Sequence, residues 1–532
     1  MPTYIHPATL QSALSDGEEL ALFDIREHGQ FGEGHLFFAV PLPYSRLELD
    51  VSRLAPRPSV SIVVYGDSNR LAGLAAARLE ALGYRNVSIL DGGIAAWRDA
   101  SLPLFAGVNL PSKAFGEVAE HAYATPRVSP SDLAAWIEAG DDLIVLDGRP
   151  FSEYRKMNIP GSICCPNGEL GYRVKDLVPD KTTKIVINCA GRTRSIIGAQ
   201  TLINLGLENP IYALENGTQG WFLADLPLEH GSHRRWPDLP TPSGLAEARE
   251  AAAKLAARFR VPFLSADQLV EWLADSTRTT FLCDVRTETE FAEATLRGAQ
   301  HTPGGQLVQA TDHYLGVRGA RIVVFDAEMV RAPIIASWLR QMGLDAFVLK
   351  EGLNSDFPRA NGKVTAAPPD FFLPSVSVTA LSQELATAPP LLVDVRSSAQ
   401  FRHGHIPGAI WSIRPRLAEQ FAGHSGPVVV IADDPGVGQL AARELEDALG
   451  GPVRLLDAGF ANWAKAGLPI EVTPADPPDE GRIDYLFFVH DRHDGNKEAA
   501  RRYLAWETGL VGQLVRGELS RFRPAGKSPR QV

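Results

Sequence analysis

Four times along the chain an apolar strand ends in Asp-x-Arg: LALFDIR to Arg26, LIVLDGR to Arg149, TFLCDVR to Arg286 and LLVDVR to Arg396. A glycine turn follows each one: GHLFFAV, NIPGSI, LRGAQH and GHIPGAI. A second buried strand then runs through a loop into a helix: SIVVYGDSNRLAGLAAARL, KIVINCAGRTRSIIGAQTL, RIVVFDAEMVRAPIIASWL and PVVVIADDPGVGQLAAREL. The residue just past that strand is Gly66, Cys189, Asp326 or Ala432. It lies 42 residues beyond Asp24, Asp147 and Asp284, and 38 beyond Asp394. Three units close on a tryptophan after a further glycine turn, at Trp97, Trp221 and Trp463; the third unit, with VLKEGLNSDF, does not. A period held this well must be settled before any local reading. Strand and helix alternating at this rhythm predict an α/β fold of four tandem domains, each a parallel sheet flanked by helices. In such sheets ligands sit beyond the carboxyl ends of the strands.

A chain of 532 residues outgrows one core, because cores stop growing at roughly 250–300 residues and domains are mostly about 100–150. Three to five domains are expected, and the repeats set them at 1–108, 124–234, 260–362 and 374–475, with an extension at 482–532. LAEAREAAAKLAARF, from Leu245 to Phe259, is rich in strong helix formers and reads as a linker helix separating two pairs of consecutive units. In the extension, DYLFFVH from Asp484 reads as a buried strand. Asn496 is placed to cap a helix KEAARRYLAWETGLVGQL. This small α/β piece is expected to pack on a neighbouring unit or on a second chain, and it and the units without cysteine are the surfaces through which a homodimer would form.

Apolar residues at 45% and charged ones at 22% are ordinary for a folded chain. A net charge of -11 and a pI near 5.7 argue against nucleic acid as the main partner. No stretch of about 18 apolar residues is present to span a membrane. The first residues lack a basic start followed by an apolar run, so a cytoplasmic protein is expected. The four cysteines, Cys164, Cys165, Cys189 and Cys283, show neither a disulfide framework nor paired zinc spacing.

Cys189, Ala190, Gly191, Arg192, Thr193, Arg194 and Ser195 follow the strand KIVIN and lead into a helix expected to begin near Ser195. A loop curling into a helix N-terminus turns backbone N–H groups toward one spot, and the helix dipole adds positive potential. Cysteines so placed fall from a pKa of about 8.5 to roughly 3.5–7.5. Gly191 permits the backbone to turn with positive φ, which a loop wrapping its amides around one sulfur is expected to need. Arg192 and Arg194 carry charge that cannot titrate away and can grip an oxyanion. A cysteine ending a buried strand is ordinarily inert core; the two arginines and the helix start favour a nucleophile for anionic sulfur donors.

These residues resemble the rhodaneses, sulfurtransferases whose active cysteine heads a six-residue loop. The elements that carry the resemblance are Asp-x-Arg, GHIPGA in the fourth unit and CAGRTRS in the second, and it extends over the chain to about Glu471. It implies that Cys189 carries sulfur as a persulfide from an anionic donor such as thiosulfate to cyanide, a thiol or an acceptor protein. It implies no cofactor and no metal. Ala190, Gly191, Arg192, Thr193, Arg194 and Ser195 would bind substrate, with Arg194 meeting the donor's anionic end and Arg192 facing solvent. Asp147 and Arg149 would form a buried pair that supports the loop. Gly66, Asp326 and Ala432 cannot hold a transferable sulfur, so those units would serve as scaffold or docking surface, and a wholly non-catalytic scaffold or persulfide relay is the alternative. Phosphatases and arsenate reductases of the same fold place arginine at the sixth position after the cysteine, where this chain has Ser195. Cys164 and Cys165 are expected to be core or pocket wall, and Cys283 inert core. His490-Asp491-Arg492-His493-Asp494 reads as a charged turn.

Overall fold

The computed structural model describes residues 3–362, 373–490 and 496–525. All four repeats build the same parallel sheet. In the second domain the strands lie in the order Arg127–Val128, Ile211–Leu214, Lys184–Asn188, Leu143–Asp147, Ile163–Cys164. In the third the order is Phe263–Leu264, Asp345–Leu349, Arg321–Phe325, Thr280–Asp284, Gln300–His301, and in the fourth Ser375–Val376, Val453–Leu456, Val428–Ile431, Leu391–Asp394, Ile410–Trp411. The first domain follows suit with Thr3–Ile5, Asn86–Leu90, Ser61–Tyr65, Leu20–Asp24 and Val40–Pro41. The two central strands are near-continuous apolar runs, as sheets covered by helices on both faces require. They are also the two whose connections leave in opposite directions. The crevice beyond their carboxyl ends is therefore the topological switch point, and there the Asp-x-Arg turn meets the loop after KIVIN.

The expected pairing of consecutive domains is not the one observed. The chain divides into two compact units: Met1–Ser12, Ala21–Val108 and Thr365–Phe487 form one, and Ala13–Leu20, Asn109–Val364 and Phe488–Val532 the other. The first domain thus shares a unit with the fourth, and the second with the third. The helix placed between two pairs exists, as Pro242–Arg258, with the Thr241 side chain accepting from the Gly244 amide. It does not separate anything. Its small-residue face of Gly244, Ala248, Ala252, Leu255 and Ala256 is buried, and it packs on helices Asn167–Leu177 and Arg331–Gln341 of the second and third domains. A one-sided apolar stripe must find a partner surface, and here both domains supply it.

Between those two domains, Gly168 and Gly305 pack so closely that a Cβ at Gly168 would stand 2.7 Å from the Gly305 nitrogen. Beside this contact Arg331 is fully buried and bonds Glu169 of the second domain at 3.0 Å and Glu290 and Glu328 of the third at 2.8 and 2.7 Å. Burial alone would raise the Glu290 pKa, but Arg331 overrides it and lowers it from 4.5 to about 2. A depressed carboxylate stabilises the fold above its unfolded pKa and loses that contribution as pH falls toward its folded one. Stability of the second unit should therefore drop between pH 4.5 and about 2. Glu290→Gln should flatten that slope in urea unfolding measured against pH; an unchanged slope would remove Glu290 from the acid response.

In the extension, DYLFFVH does not form a strand: the backbone turns at Asp484, and Phe487–His490 is a short helix. Tertiary contacts claim the segment first. Just before it the Ile483 carbonyl accepts from the Gln30 amide at 3.3 Å, and at its first residue Asp484 accepts from the Ser398 amide at 2.8 Å. Asn496 does cap the next helix, Lys497–Gly509, its side chain accepting from the Ala499 amide. The described part of the extension is thus helical rather than α/β, and the Lys497–Gly509 helix packs on Gly217–Leu223 and Leu110–Tyr123 of the second unit. In the charged run after His490, residues 491–494 lie outside the described residues. Among the described residues, no helix is long and apolar enough to cross a membrane.

Candidate active site

Cys189 follows strand Lys184–Asn188, and helix Thr193–Asn204 begins four residues later, earlier than Ser195. Gly191 does not take the expected positive φ, and its missing side chain instead leaves room for the close approach of Glu507 and Tyr503. The ends of the two central strands are tied together. Asn188 Nδ2 donates to Asp147 at 2.8 Å and the Gly148 amide to the Asn188 carbonyl at 2.9 Å. Arg149 Nε and Nη2 bond Asp147 at 2.9 and 2.7 Å, and Nη2 also reaches the Met157 carbonyl at 2.6 Å. Burial alone would lower the Arg149 pKa; the adjoining Asp147 carboxylate reverses this. The same arrangement recurs in every domain: Arg26, Arg286 and Arg396 pair with Asp24, Asp284 and Asp394 and reach the carbonyls of Gly34, Ala294 and Gly404.

The loop is backed from below by helix Gly217–Leu223, whose Thr218 and Gln219 amides donate to the Cys189 and Ala190 carbonyls at 2.8 and 3.1 Å. Gly217 has a φ of +54°, and a Cβ there would run into the Cys189 carbonyl oxygen. Gly93, Gly352 and Gly459 stand in the same relation to Gly66, Asp326 and Ala432. This is the physical need behind the glycine turn that each repeat carries.

Neither arginine of the loop is loose. Arg194, its side chain 11% exposed, bonds Glu153 with both Nη atoms at 2.9 and 2.8 Å, and its Nη1 lies 3.5 Å from Gln306 Oε1 of the third domain. Arg192 does not face solvent as expected. Its guanidinium is 10% exposed and bonds Glu117 at 2.8 and 2.9 Å and also Glu120, both on helix Leu110–Tyr123. That helix precedes the second domain in sequence and folds over the loop, which is why a loop-tip position became an interior one. Burial by itself would lower both arginine pKa values; Glu117 for Arg192, and Glu153 followed by Cys189 for Arg194, raise them instead. Cys189 is 2% exposed, Ala190 5%, Thr193 2% and Ser195 1%. The Ser195 hydroxyl and both polar atoms of the Gln219 side chain are buried without a hydrogen-bond partner among the described residues, leaving polar capacity near the loop for a bound molecule.

The other three loops show what the missing cysteine leaves behind. In the third domain the Asp326 carboxylate accepts from the amides of Met329, Val330 and Arg331 at 3.1, 2.9 and 2.8 Å. The cradle there is already filled by an anion of the chain's own. In the first and fourth domains the next residue is acidic, and Asp67 and Asp433 accept from Gln30 and Gln400 at 2.6 and 3.1 Å. Cys164, Cys165 and Cys283 are fully buried. Burial pushes all three thiols up, Cys283 to about 11.

Glu153 and the acidic pair Glu117 and Glu120 were missed in the sequence. Glu153 had a signal: it falls six residues after Asp147 as Glu290 does after Asp284, and only these two domains carry arginine five residues beyond the loop start, at Arg194 and Arg331. Glu117 and Glu120 had none, since their helix lies between repeats.

A model of the rhodanese-like domain matches residues 6–100, 129–224, 265–355 and 377–466. A thiosulfate sulfurtransferase of Azotobacter vinelandii is 32% identical over 173 residues, covering 29% of this chain and 62% of that protein. A sulfurtransferase of Allochromatium vinosum is 32% identical over 106 residues, 20% of this chain and 97% of that one. The crystal structure of thiosulfate sulfurtransferase from Pseudomonas aeruginosa is 40% identical with a TM-score of 0.90, over 98% of this chain and 99% of that chain. The shared sheet order, the four buried Asp-x-Arg turns and these matches lead to one conclusion: the chain belongs to the rhodanese-like family and carries its domain four times.

Proposed function

We propose that the chain is a sulfurtransferase with one working loop, in which Cys189 takes sulfane sulfur from an anionic donor such as thiosulfate. The thiolate attacks the outer sulfur of thiosulfate; a Cys189 S–S bond forms, the donor's S–S bond breaks and sulfite leaves with the bonding pair. Cyanide or a thiolate then attacks the outer sulfur of the persulfide, and the Cys189 thiolate is released. The observation that carries this reading is that only the second domain joins a cysteine to a loop start of this geometry. Its counterparts are glycine, alanine and an aspartate that fills its own cradle. The Asp326 amide contacts support the same role for the amides of Arg192, Thr193 and Arg194 around the Cys189 sulfur. Cys164, Cys165 and Cys283, buried and held as thiols, have no part in the transfer.

The test is conversion of thiosulfate and cyanide to sulfite and thiocyanate by purified protein. Arg194 is the side chain proposed to meet the donor, exchanging part of its Glu153 contact for the donor's sulfonate oxygens. A charge-assisted hydrogen bond contributes about 1.5–3 kcal/mol. Arg194→Ala should accordingly raise the KM for thiosulfate about tenfold or more, with the KM for cyanide little changed. Unaltered donor kinetics in a folded Arg194→Ala protein would exclude this contact.

A further inference from the structure

Two segments outside the matched domains touch the Cys189 loop: helix Leu110–Tyr123 and the C-terminal helix Lys497–Gly509. Glu507, on the second of these, is completely buried. Its Oε1 accepts from Lys113 Nζ at 2.7 Å and from Thr193 Oγ1 at 3.0 Å. A Cβ on Gly191 would lie 3.0 Å from Glu507 Oε2 and 3.5 Å from Tyr503 Cε1. On the helix that carries Lys113, a Cβ on Gly116 would lie 2.7 Å from Thr193 Cγ2. One carboxylate, anchored by a lysine of helix Leu110–Tyr123, therefore bonds one residue of the loop and closes the space beside another, and the same helix packs tightly on Thr193 at Gly116.

A buried carboxylate is unfavourable unless its charge is compensated. Lys113 pairs with it, and the carboxylate's contacts on the loop side are the Thr193 hydroxyl at the helix start and the space beside Gly191. We propose that the Lys113–Glu507 pair is a positioning element of the sulfur-transfer site, supplied from outside the rhodanese-like domains, which fixes Gly191 and Thr193 so that the loop amides face the Cys189 sulfur. The proposal rests on Cys189 as the sulfur carrier. Glu507 does not touch the donor; it acts through Thr193 and Gly191.

Glu507→Ala in the full chain removes the grip on the loop, whereas Glu507→Gln keeps an acceptor for Thr193 and for Lys113 while removing the charge. Glu507→Ala should lower kcat for thiosulfate–cyanide transfer at least tenfold with KM for thiosulfate within twofold, and Glu507→Gln should recover most of the loss. In Glu507→Gln the pH of half-maximal Cys189 alkylation, followed by peptide mapping, should move down by about half a unit, because a negative charge near the loop that disfavours a thiolate is removed. The other charged groups around the loop, Arg192, Arg194, Glu117, Glu120, Glu153 and the Asp147–Arg149 pair, are the same in every variant. Thr193→Val, which removes only the hydroxyl, should lower kcat about fivefold and decides the matter if Glu507→Ala does not fold. Wild-type kcat in folded Glu507→Ala or Thr193→Val, or an unshifted alkylation profile in Glu507→Gln, overturns the proposal. A Cys189→Ser protein that still acquires sulfur would sink the carrier assignment instead, so the two failures are distinguishable.

Discussion

Cys189→Ser should abolish sulfur transfer with every donor, since a serine hydroxyl cannot form the persulfide on which the proposed two-step reaction depends. Brief treatment of the wild-type chain with thiosulfate, followed by intact-mass measurement, should add one sulfur atom per chain, and peptide mapping should place it on Cys189. The serine variant should add none. The reason is geometric as well as chemical. Cys164, Cys165 and Cys283 are each fully buried and held as thiols, and the thiol form is a poor nucleophile. Their serine variants should therefore keep substantial activity. Two or more donor-dependent persulfides outside Cys189 would replace the single-site model with a relay.

Asp147→Ala should be the most destabilising single change at the site. It leaves the Arg149 guanidinium, 2% exposed, without its carboxylate, and it takes the acceptor from Asn188 Nδ2 next to Cys189. Breaking a buried ion pair by removing one partner costs about 3–5 kcal/mol, which should show as an earlier urea transition of the second unit. Asp24→Ala breaks the equivalent pair, Arg26 being 6% exposed, in a domain without the cysteine, and serves as the control. If the pair is a support for the loop, Asp147→Ala should reduce turnover of the remaining folded protein and Asp24→Ala should not. Equal turnover in both would make the Asp-x-Arg turn a matter of folding alone.

The repeat was legible because its marks are covalent and local. A strand buried on both faces must be apolar along its length, the residue at the strand end must carry the ion pair, and the turn behind the loop must be glycine where a Cβ would strike the loop carbonyl. Gly93, Gly217, Gly352 and Gly459 satisfy that demand in all four domains. The pairing of the domains was legible too, though in a finer pattern than the one used. The first and fourth share Gln30 and Gln400 bonding Asp67 and Asp433, and the second and third share Glu153 and Glu290 bonding Arg194 and Arg331. Chain order suggested neighbours in sequence; these matched pairs agree with the two units observed.

By itself, then, the sequence determined the four sheets, the single cysteine at a loop start and the buried pairs beneath it, because each follows from spacing within about 50 residues of chain. Tertiary structure alone decided the surroundings of that loop. Arg192 is an interior residue because a helix between repeats brings Glu117 and Glu120 onto it, and Thr193 is held by Glu507, 314 residues further along. The DYLFFVH segment forms no strand: Ser398 takes its first carboxylate, at Asp484, and Gln30 takes the backbone carbonyl just before it, at Ile483. No periodicity encodes such contacts. They arise when separately folded surfaces meet, and each depends on the charge and shape that another part of the chain presents.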